Sequence, residues 1–99
     1  IVIVMLDNNA LGMVRQWQKL FFDGRYSQTS LERQTDYVKL AEAFGAAGFY
    51  AETVEEYGQC LEKAYQCDGP ALIHCRIDND MRVLPMIPPG GSINDIILK

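Results

Sequence analysis

The sequence predicts an α/β fold, a partial doubly wound parallel sheet with elements in the order β-α-α-β-α-β. The chain opens with an apolar, β-branched run at residues 1–6, and a second largely apolar run follows at residues 71–77. Such runs are typical of strands that are buried on both faces of a parallel sheet. Segments with helical spacing separate the predicted strands, and this alternation indicates parallel strands joined by right-handed helical crossovers.

The first helix is predicted from about Gly12 to Phe22, because apolar side chains recur there at helical spacing. These side chains are Met13, Trp17, Leu20 and Phe21. Asp23 and Gly24 are typical turn residues and end the helix. The polar, irregular segment 25–34 predicts a loop that is long enough to have a function of its own.

A second helix and a short strand are predicted after this loop. Thr35 or Asp36 can cap the helix, and Gly45 supplies the left-handed conformation that commonly ends one. The apolar face of the helix consists of Tyr37, Leu40, Ala41 and Phe44. The strand is predicted at residues 49–51.

A third helix is predicted where Thr53 and Glu56 form a capping box. Its apolar stripe consists of Val54, Tyr57, Leu61 and Ala64. Gly69 and Pro70 break the chain before the final strand, and a tail rich in proline and glycine follows. We therefore divide the chain into an α/β core, residues 1–80, and a C-terminal tail, residues 81–99.

The composition is that of a globular protein and argues against two classes of partner. The 99 residues make at most one small domain, 48% of them are apolar, and the net charge is −4. The basic residues are scattered and form no stripe for a nucleic acid, and no apolar segment is long enough to cross a membrane. Because natural proteins rarely begin inside a central strand, we expect a fragment of a longer chain.

The cysteines and the histidine carry little functional signal. Cys60, Cys67 and Cys75 are odd in number and form no CxxC or Cys/His cluster, which predicts buried or free thiols rather than a metal site or a disulfide. His74 stands alone in an apolar run, which favours a packed strand residue over a catalytic one.

The segment from Asp7 to Gly12 is the candidate site. In an open α/β sheet, ligands bind at the carboxyl ends of the strands, and this segment joins the first strand to a helix N-terminus. The N–H groups of a helix N-terminus suit a diphosphate, while the Asn8 amide oxygen and exposed backbone carbonyls suit Mg²⁺. Because Asn-Asn turns before helices are common, a purely structural turn is the alternative.

This site lies in one of five segments that together carry a family resemblance. They are residues 7–18 (DNNALGMVRQWQ), 20–22 with 24–27 (LFF and GRYS), 36–45, 69–73 and 83–91 (VLPMIPPGG). In this order they resemble the C-terminal part of the thiamine-diphosphate-binding domain of acetolactate synthase (acetohydroxyacid synthase) catalytic large subunits. The resemblance covers essentially the whole chain, and MVRQW together with VLPMIPPGG distinguishes this family from other thiamine-diphosphate enzymes.

The resemblance implies roles for six residues. Asn8 falls where the family's side-chain Mg²⁺ ligand stands, and Ala10 falls where a backbone carbonyl completes the coordination. Leu11, Gly12 and Met13 fall near the diphosphate and the cofactor. Trp17 matches the tryptophan that shapes the pocket for the second 2-keto acid; from the pattern alone, a core helix residue facing the sheet is the alternative for Trp17.

The resemblance also implies an activity, cofactors and partners. Enzymes of this family use thiamine diphosphate and Mg²⁺ to decarboxylate pyruvate and to add the two-carbon unit to pyruvate or 2-ketobutyrate, in the biosynthesis of valine, leucine and isoleucine. We expect FAD in the parent enzyme, a homo-oligomer of catalytic subunits and a regulatory small subunit as a further partner. The expected location is the bacterial cytoplasm, with a plastid as the alternative.

The chain by itself is expected to be inactive. In the family, a second metal ligand lies upstream in a Gly-Asp-Gly segment, and the glutamate that activates the cofactor belongs to the partner subunit. We therefore assign no catalytic residue to this chain. Alternatives are another thiamine-diphosphate-dependent carboligase, oxidase or decarboxylase, and a non-catalytic α/β binding module. A fragment should also expose apolar surface on its first strand and first helix.

Overall fold

Three parallel strands form one sheet at the centre of the chain. The computed structural model describes residues 1–32 and 35–99, and it places β1 at Val2–Asp7, β2 at Ala47–Ala51 and β3 at Ala71–Arg76. The strand order is β1-β3-β2, so β3 lies between the other two. The predicted α/β class and the predicted order of elements along the chain are confirmed.

The register of the strands brings their carboxyl ends to one edge of the sheet. Asp7 at the end of β1 pairs with Arg76 of β3. Ala51 at the end of β2 pairs with Cys75, the neighbour of Arg76 in β3. The segment that follows β1 therefore starts beside the carboxyl ends of the strands, where the sequence predicts the site.

Among the described residues, three α-helices accompany the sheet: α1 (Gly12–Phe21), α2 (Tyr37–Ala43) and α3 (Val54–Tyr65), and a short 3-10 helix lies in the tail at Ile93–Asp95. The predicted capping residues lie at the starts of α2 and α3, and the predicted stop residue lies after α2. Asp36 caps α2 by accepting a hydrogen bond from the Lys39 N–H at 3.0 Å, and Thr53 and Glu56 form the predicted capping box of α3. Gly45 adopts the left-handed conformation, with φ of 79°. The predicted loop 25–34 includes Arg33 and Gln34, which lie outside the described residues.

The predicted apolar face of α2 is wrong in part. Ala41 is buried as predicted, but Phe44 is 84% exposed. Val38, which the predicted face does not include, lies directly over Gly48 of β2. The helix is thus rotated so that Val38 faces the sheet.

The hydrophobic core lies between α3 and one face of the sheet. Ile73 of β3 is completely buried there, and Cys60 of α3 and Cys75 of β3 belong to the same cluster. All three cysteines are free, as predicted. Burial raises the pKa of the Cys75 thiol, which keeps it in the unreactive protonated form.

The expectation that β1 is buried on both faces is wrong for this chain. β1 lies at the sheet edge, and Ile3 and Leu6, which point to opposite faces, are 49% and 66% exposed. On α1, Val14 is 52% exposed. The predicted apolar surface on the first strand and first helix is therefore confirmed. Apolar strand residues normally require cover on both faces of a parallel sheet, and residues 1–32 and 35–99 do not provide it.

The contact between Gly48 and α2 yields a stability prediction. A Cβ atom on Gly48 would lie 2.8 Å from the Val38 carbonyl oxygen and 2.8 Å from its Cγ1, so Gly48→Ala must push α2 away from the sheet. We expect the free energy of unfolding to fall by about 1–3 kcal/mol, the usual cost of overpacking, as measured by urea denaturation followed by circular dichroism.

Gly58→Ala is the matched control. Gly58 lies inside α3, and its added Cβ would meet no atom within 4 Å. This substitution should raise the free energy of unfolding by up to about 1 kcal/mol, because alanine favours the helix. Equal stability of the two variants would show that the close packing of α2 on β2 is wrong.

Candidate functional site

The chain leaves β1 through a turn that is fixed by two side chains. Asp7 Oδ1 accepts a hydrogen bond from the Asn9 N–H at 2.8 Å, and Asn8 Oδ1 accepts one from the Ala10 N–H at 3.2 Å. Each side chain thus bonds the backbone two residues further on, the geometry of an Asx turn. Asn9 has a φ of 51°, a left-handed conformation that asparagine tolerates better than most residues.

Gly12 leaves the space that the Asn8 amide occupies. A Cβ atom on Gly12 would lie 2.6 Å from Asn8 Nδ2, closer than real Cβ atoms approach other atoms. Asn8 is half-buried, so its amide is not enclosed in the interior. The glycine therefore lets the Asn8 side chain lie against the first turn of α1, at the edge of the sheet.

The N-terminus of α1 has no side-chain cap. Leu11 occupies the cap position and its side chain makes no capping hydrogen bond. The first N–H groups of a helix lack partners within the helix, so those of Gly12 and Met13 are available for an anion. They also lie at the positive end of the helix dipole.

The turn also offers two oxygen atoms to a cation. Asn8 Oδ1 uses one lone pair for the Ala10 N–H, and an amide oxygen has two. Ala10 is only 8% exposed, and within residues 1–32 and 35–99 its carbonyl oxygen accepts no hydrogen bond. A neutral amide oxygen and an unused carbonyl are ligands that Mg²⁺ accepts, so the residues present fit part of a magnesium diphosphate site.

Segment 29–31 holds the turn from its other side. Leu11 N–H donates to the Thr29 carbonyl at 2.8 Å, and Leu31 N–H donates to the Asn9 carbonyl at 2.9 Å. Thr29 is only 3% exposed, and its hydroxyl donates to Gln18 Oε1 at 3.1 Å. The sequence predicts a functional loop in this region without indicating that Thr29 would be buried in it.

Asp7 also connects the turn to the central strand. Its Oδ2 lies 2.8 Å from His74 Nε2 and 3.3 Å from Arg76 Nη1. Burial by itself raises the pKa of Asp7, but the Asn9 N–H, His74 and Arg76 together hold the pKa below its ordinary value of 3.8. Asp7 is therefore ionised at neutral pH, and an ionised carboxylate only accepts hydrogen bonds. His74 Nε2 must then carry the proton.

The interpretation of His74 as a packed strand residue is only half right. Its ring is packed, since it lies between Tyr37 and Tyr50 at centroid distances of 5.1 and 5.2 Å. Its hydrogen bond to Asp7 was not foreseen, because the two residues are separated by 67 positions. No local pattern signals a pair this far apart.

Trp17 and Met13 lie one helical turn apart on α1 and line the same open cavity. The cavity has a volume of about 710 Å³ and is lined by Met13, Val14, Trp17, Gln18, Phe22 and Arg25. Trp17 is 41% exposed and packs edge to face on Phe21 at 6.1 Å. Trp17 is therefore not a core residue facing the sheet.

Buried Gln16 holds α1 to the tail. Gln16 is 5% exposed; its Oε1 accepts a hydrogen bond from the Val83 N–H at 2.7 Å, and its Nε2 donates to the Val83 carbonyl at 3.2 Å. Beside it, Arg15 forms an ion pair with Asp80 at 2.7 Å. The Arg15 guanidinium holds the pKa of Asp80 below its usual range. The sequence predicts neither contact.

In the part of the chain that the structure describes, no three His, Cys, Asp or Glu side chains come together to hold a metal ion. None of the described helices combines the length and the apolar character that a membrane span requires.

Comparisons with known proteins show the family to which the chain belongs. The family model described as "Thiamine pyrophosphate enzyme, C-terminal TPP binding domain" matches residues 1–75. The chain is 44% identical over 97 residues to the acetolactate synthase isozyme 2 large subunit of Escherichia coli K12, covering 98% of this chain and 18% of that protein.

Two further relatives show the same coverage. The acetolactate synthase large subunit of Haemophilus influenzae is 37% identical over 100 residues, which cover 100% of this chain and 18% of that protein. The mitochondrial acetolactate synthase catalytic subunit of Saccharomyces cerevisiae is 38% identical over 95 residues, which cover 96% of this chain and 14% of that protein. The chain therefore spans less than a fifth of the length of these relatives.

The Gln16 contact yields a prediction about the tail. Gln16→Leu would leave the Val83 N–H and carbonyl without their side-chain partner, and a buried polar group without a partner costs about 1–3 kcal/mol. We expect the free energy of unfolding to fall by this amount and the segment after Asp80 to become sensitive to limited proteolysis.

Gln59→Leu provides the comparison, because Gln59 is also helical but lies exposed on α3. It should leave both the unfolding transition and the cleavage rate close to those of the wild type. A Gln16→Leu tail that resists cleavage as the wild type does would refute the role of Gln16.

Proposed function

Since the chain belongs to the thiamine pyrophosphate enzymes and carries their C-terminal TPP-binding domain, we propose that it is part of an acetolactate synthase catalytic subunit. Such a subunit decarboxylates pyruvate and joins the two-carbon unit to a second 2-keto acid in branched-chain amino-acid biosynthesis. The names of the relatives support the synthase over another carboligase, oxidase or decarboxylase. Membership of an enzyme family counts against the non-catalytic module.

The turn between β1 and α1 is the observation that carries this proposal. Asn8 Oδ1 and the Ala10 carbonyl oxygen would bind Mg²⁺, and the uncapped N–H groups of Gly12 and Met13 would bind the diphosphate. Leu11, at the cap position, would contact the cofactor. Both charges of a magnesium diphosphate then find partners within six residues.

The cofactor supplies the carbanion chemistry, and this chain supplies part of its binding and orientation. Gly12 keeps the Asn8 amide against the helix start, so the metal ligand and the N–H groups hold a fixed mutual geometry. Segment 29–31 closes over the other side of the turn. Because the chain's own atoms make both contacts, they limit the ordering that ligand binding requires.

Trp17 would form one wall of the pocket for the second 2-keto acid. It lines an open and largely apolar cavity together with Met13, one turn nearer to the turn at residues 7–12. An apolar aromatic wall favours a substrate with one additional methylene group, which here means 2-ketobutyrate over pyruvate. Arg25 lies on the same cavity and offers a positive charge to a carboxylate.

The remaining parts of the active site would come from a longer subunit. The exposed apolar residues on both faces of β1 and on α1 support this, as does the small share of the relatives' length that the chain covers. We propose residues 1–80 as core and residues 81–99 as tail of one larger domain. The chain by itself would be inactive.

The proposed surroundings follow from the same assignment. The parent subunit would bind FAD outside this chain, assemble with a second catalytic subunit and take a regulatory small subunit, as the words "large subunit" in the names of relatives suggest. We propose a cytoplasmic location in a bacterium, with a plastid as the alternative.

A chimeric subunit tests the proposal. The chain replaces the segment that it matches in the Escherichia coli isozyme 2 large subunit, and the small subunit is added. The chimera should form acetolactate from pyruvate with dependence on thiamine diphosphate and Mg²⁺. Asn8→Ala should weaken Mg²⁺ binding at least about 10-fold, since even outer-shell partners of a metal are worth about 10–100-fold.

Asn9→Gly is the matched control for Asn8→Ala. It removes the neighbouring amide, and glycine keeps the left-handed φ of 51° that Asn9 adopts. Its Mg²⁺ affinity should stay near that of the unsubstituted chimera. The assignment of Asn8 fails if the two variants bind Mg²⁺ equally well, and an inactive chimera that binds no cofactor counts against the synthase.

Substitution of Trp17 tests the substrate pocket. Trp17→Leu removes the aromatic wall, and we expect the preference for 2-ketobutyrate over pyruvate to fall by about 10- to 200-fold, the range for one methylene group. The ratio of six-carbon to five-carbon product in a competition assay measures this. Phe21→Leu changes an aromatic residue that packs on Trp17 but does not line the cavity, and it should shift the ratio much less.

A further inference from the structure

His74 of β3 joins the end of β1 to both α2 and β2, through Asp7, Tyr37 and Tyr50. From this geometry we infer that His74 is a positioning residue for the Asn8 metal ligand, acting through Asp7. The inference rests on the function proposed above, and it concerns only side chains of this chain.

The two oxygen atoms of the Asp7 carboxylate have different hydrogen-bond partners. Oδ1 accepts the Asn9 N–H at 2.8 Å and closes the first Asx turn. Oδ2 accepts a hydrogen bond from His74 Nε2 at 2.8 Å and faces Arg76 Nη1 at 3.3 Å. The carboxylate plane is thus set by partners on both sides, and its orientation decides where the Asn9 N–H lies.

His74 is better placed than Arg76 to fix this carboxylate. The side chain of His74 is 12% exposed, whereas that of Arg76 is 40% exposed. The His74 ring is held at its sides by Tyr37 and Tyr50, and Tyr50 is itself fixed by donating a hydrogen bond to Glu52 at 2.6 Å. Arg76 can exchange its contact for water, but His74 is locked by packing.

The consequence reaches Asn8 through the backbone. Asn8 lies between Asp7 and Asn9, so the first Asx turn determines the direction in which the Asn8 side chain leaves the chain. The Asn8 amide has little freedom of its own, because Gly12 and the Ala10 N–H confine it. Loss of the His74 hydrogen bond frees Asp7 to rotate, and the ligand oxygen of Asn8 loses its fixed position.

The test measures Mg²⁺ binding to the chimeric subunit at a fixed concentration of thiamine diphosphate, by isothermal calorimetry and without turnover. His74→Phe keeps a ring between the two tyrosines and removes the N–H donor. We expect Mg²⁺ affinity to fall about 10-fold or more, as for other outer-shell partners of metal ligands. His74→Gln restores an N–H donor of similar reach and should recover most of the affinity.

Ile73→Val separates positioning from general stability. Ile73 is the neighbour of His74 in β3 and is completely buried on the opposite face. This variant should lower the unfolding midpoint and leave Mg²⁺ affinity unchanged. The inference is overturned if His74→Phe binds Mg²⁺ like the unsubstituted chimera, if His74→Gln fails to recover affinity, or if Ile73→Val weakens binding to the same extent.

Failure of the proposed function gives a different result. If the unsubstituted chimera binds no Mg²⁺ with thiamine diphosphate, the proposed function is wrong and the positioning role falls with it. If the unsubstituted chimera binds both and only the His74 variants behave unexpectedly, the proposed function stands and the positioning role alone is wrong.

Discussion

The turn that leads from β1 into α1 is the constraint on which the site depends. Two Asx hydrogen bonds, a left-handed Asn9 and the missing side chain of Gly12 leave one arrangement for the Asn8 amide. The same arrangement aims the start of α1 and leaves its first N–H groups uncapped. The proposed cation ligand and the proposed anion-binding helix end are therefore fixed by one short segment, and a shift in either would displace the other.

Hydrogen bonds of polar side chains, more than apolar packing, keep the segments around this turn in place. The exposed apolar face of α1 lines the open cavity. Buried Gln16 hydrogen-bonds the tail, and buried Thr29 of segment 29–31 hydrogen-bonds Gln18 of α1. Hydrogen bonds of this kind contribute only about 0.5–1.5 kcal/mol each to the free energy of unfolding, but they fix the orientation of the groups that they join. Around a binding site, the orientation of these groups matters more than the total free energy that burial contributes.

The small hydrophobic core explains why the chain is best understood as part of a larger packed unit. Chains of this size bury a modest fraction of their surface, and the core is confined to one face of the sheet, against α3. β1 has the composition of a central strand, but within the described part of the chain it has only one strand partner and little cover. The most apolar strand of the sequence is thus the least buried, and further elements in a longer subunit would resolve this mismatch.

The sequence by itself determined what depends on neighbouring residues. Helical spacing, the cap at Asp36, the capping box at Thr53 and the left-handed Gly45 act within a few positions. The family motifs give Asn8 and Trp17 only as proposed site residues. The tertiary structure decided the strand order β1-β3-β2, the packing of α2 through Val38, and the pairing of Asp7 with His74 across 67 positions. Contacts of that kind depend on how distant segments pack together, and no local pattern of residues specifies them.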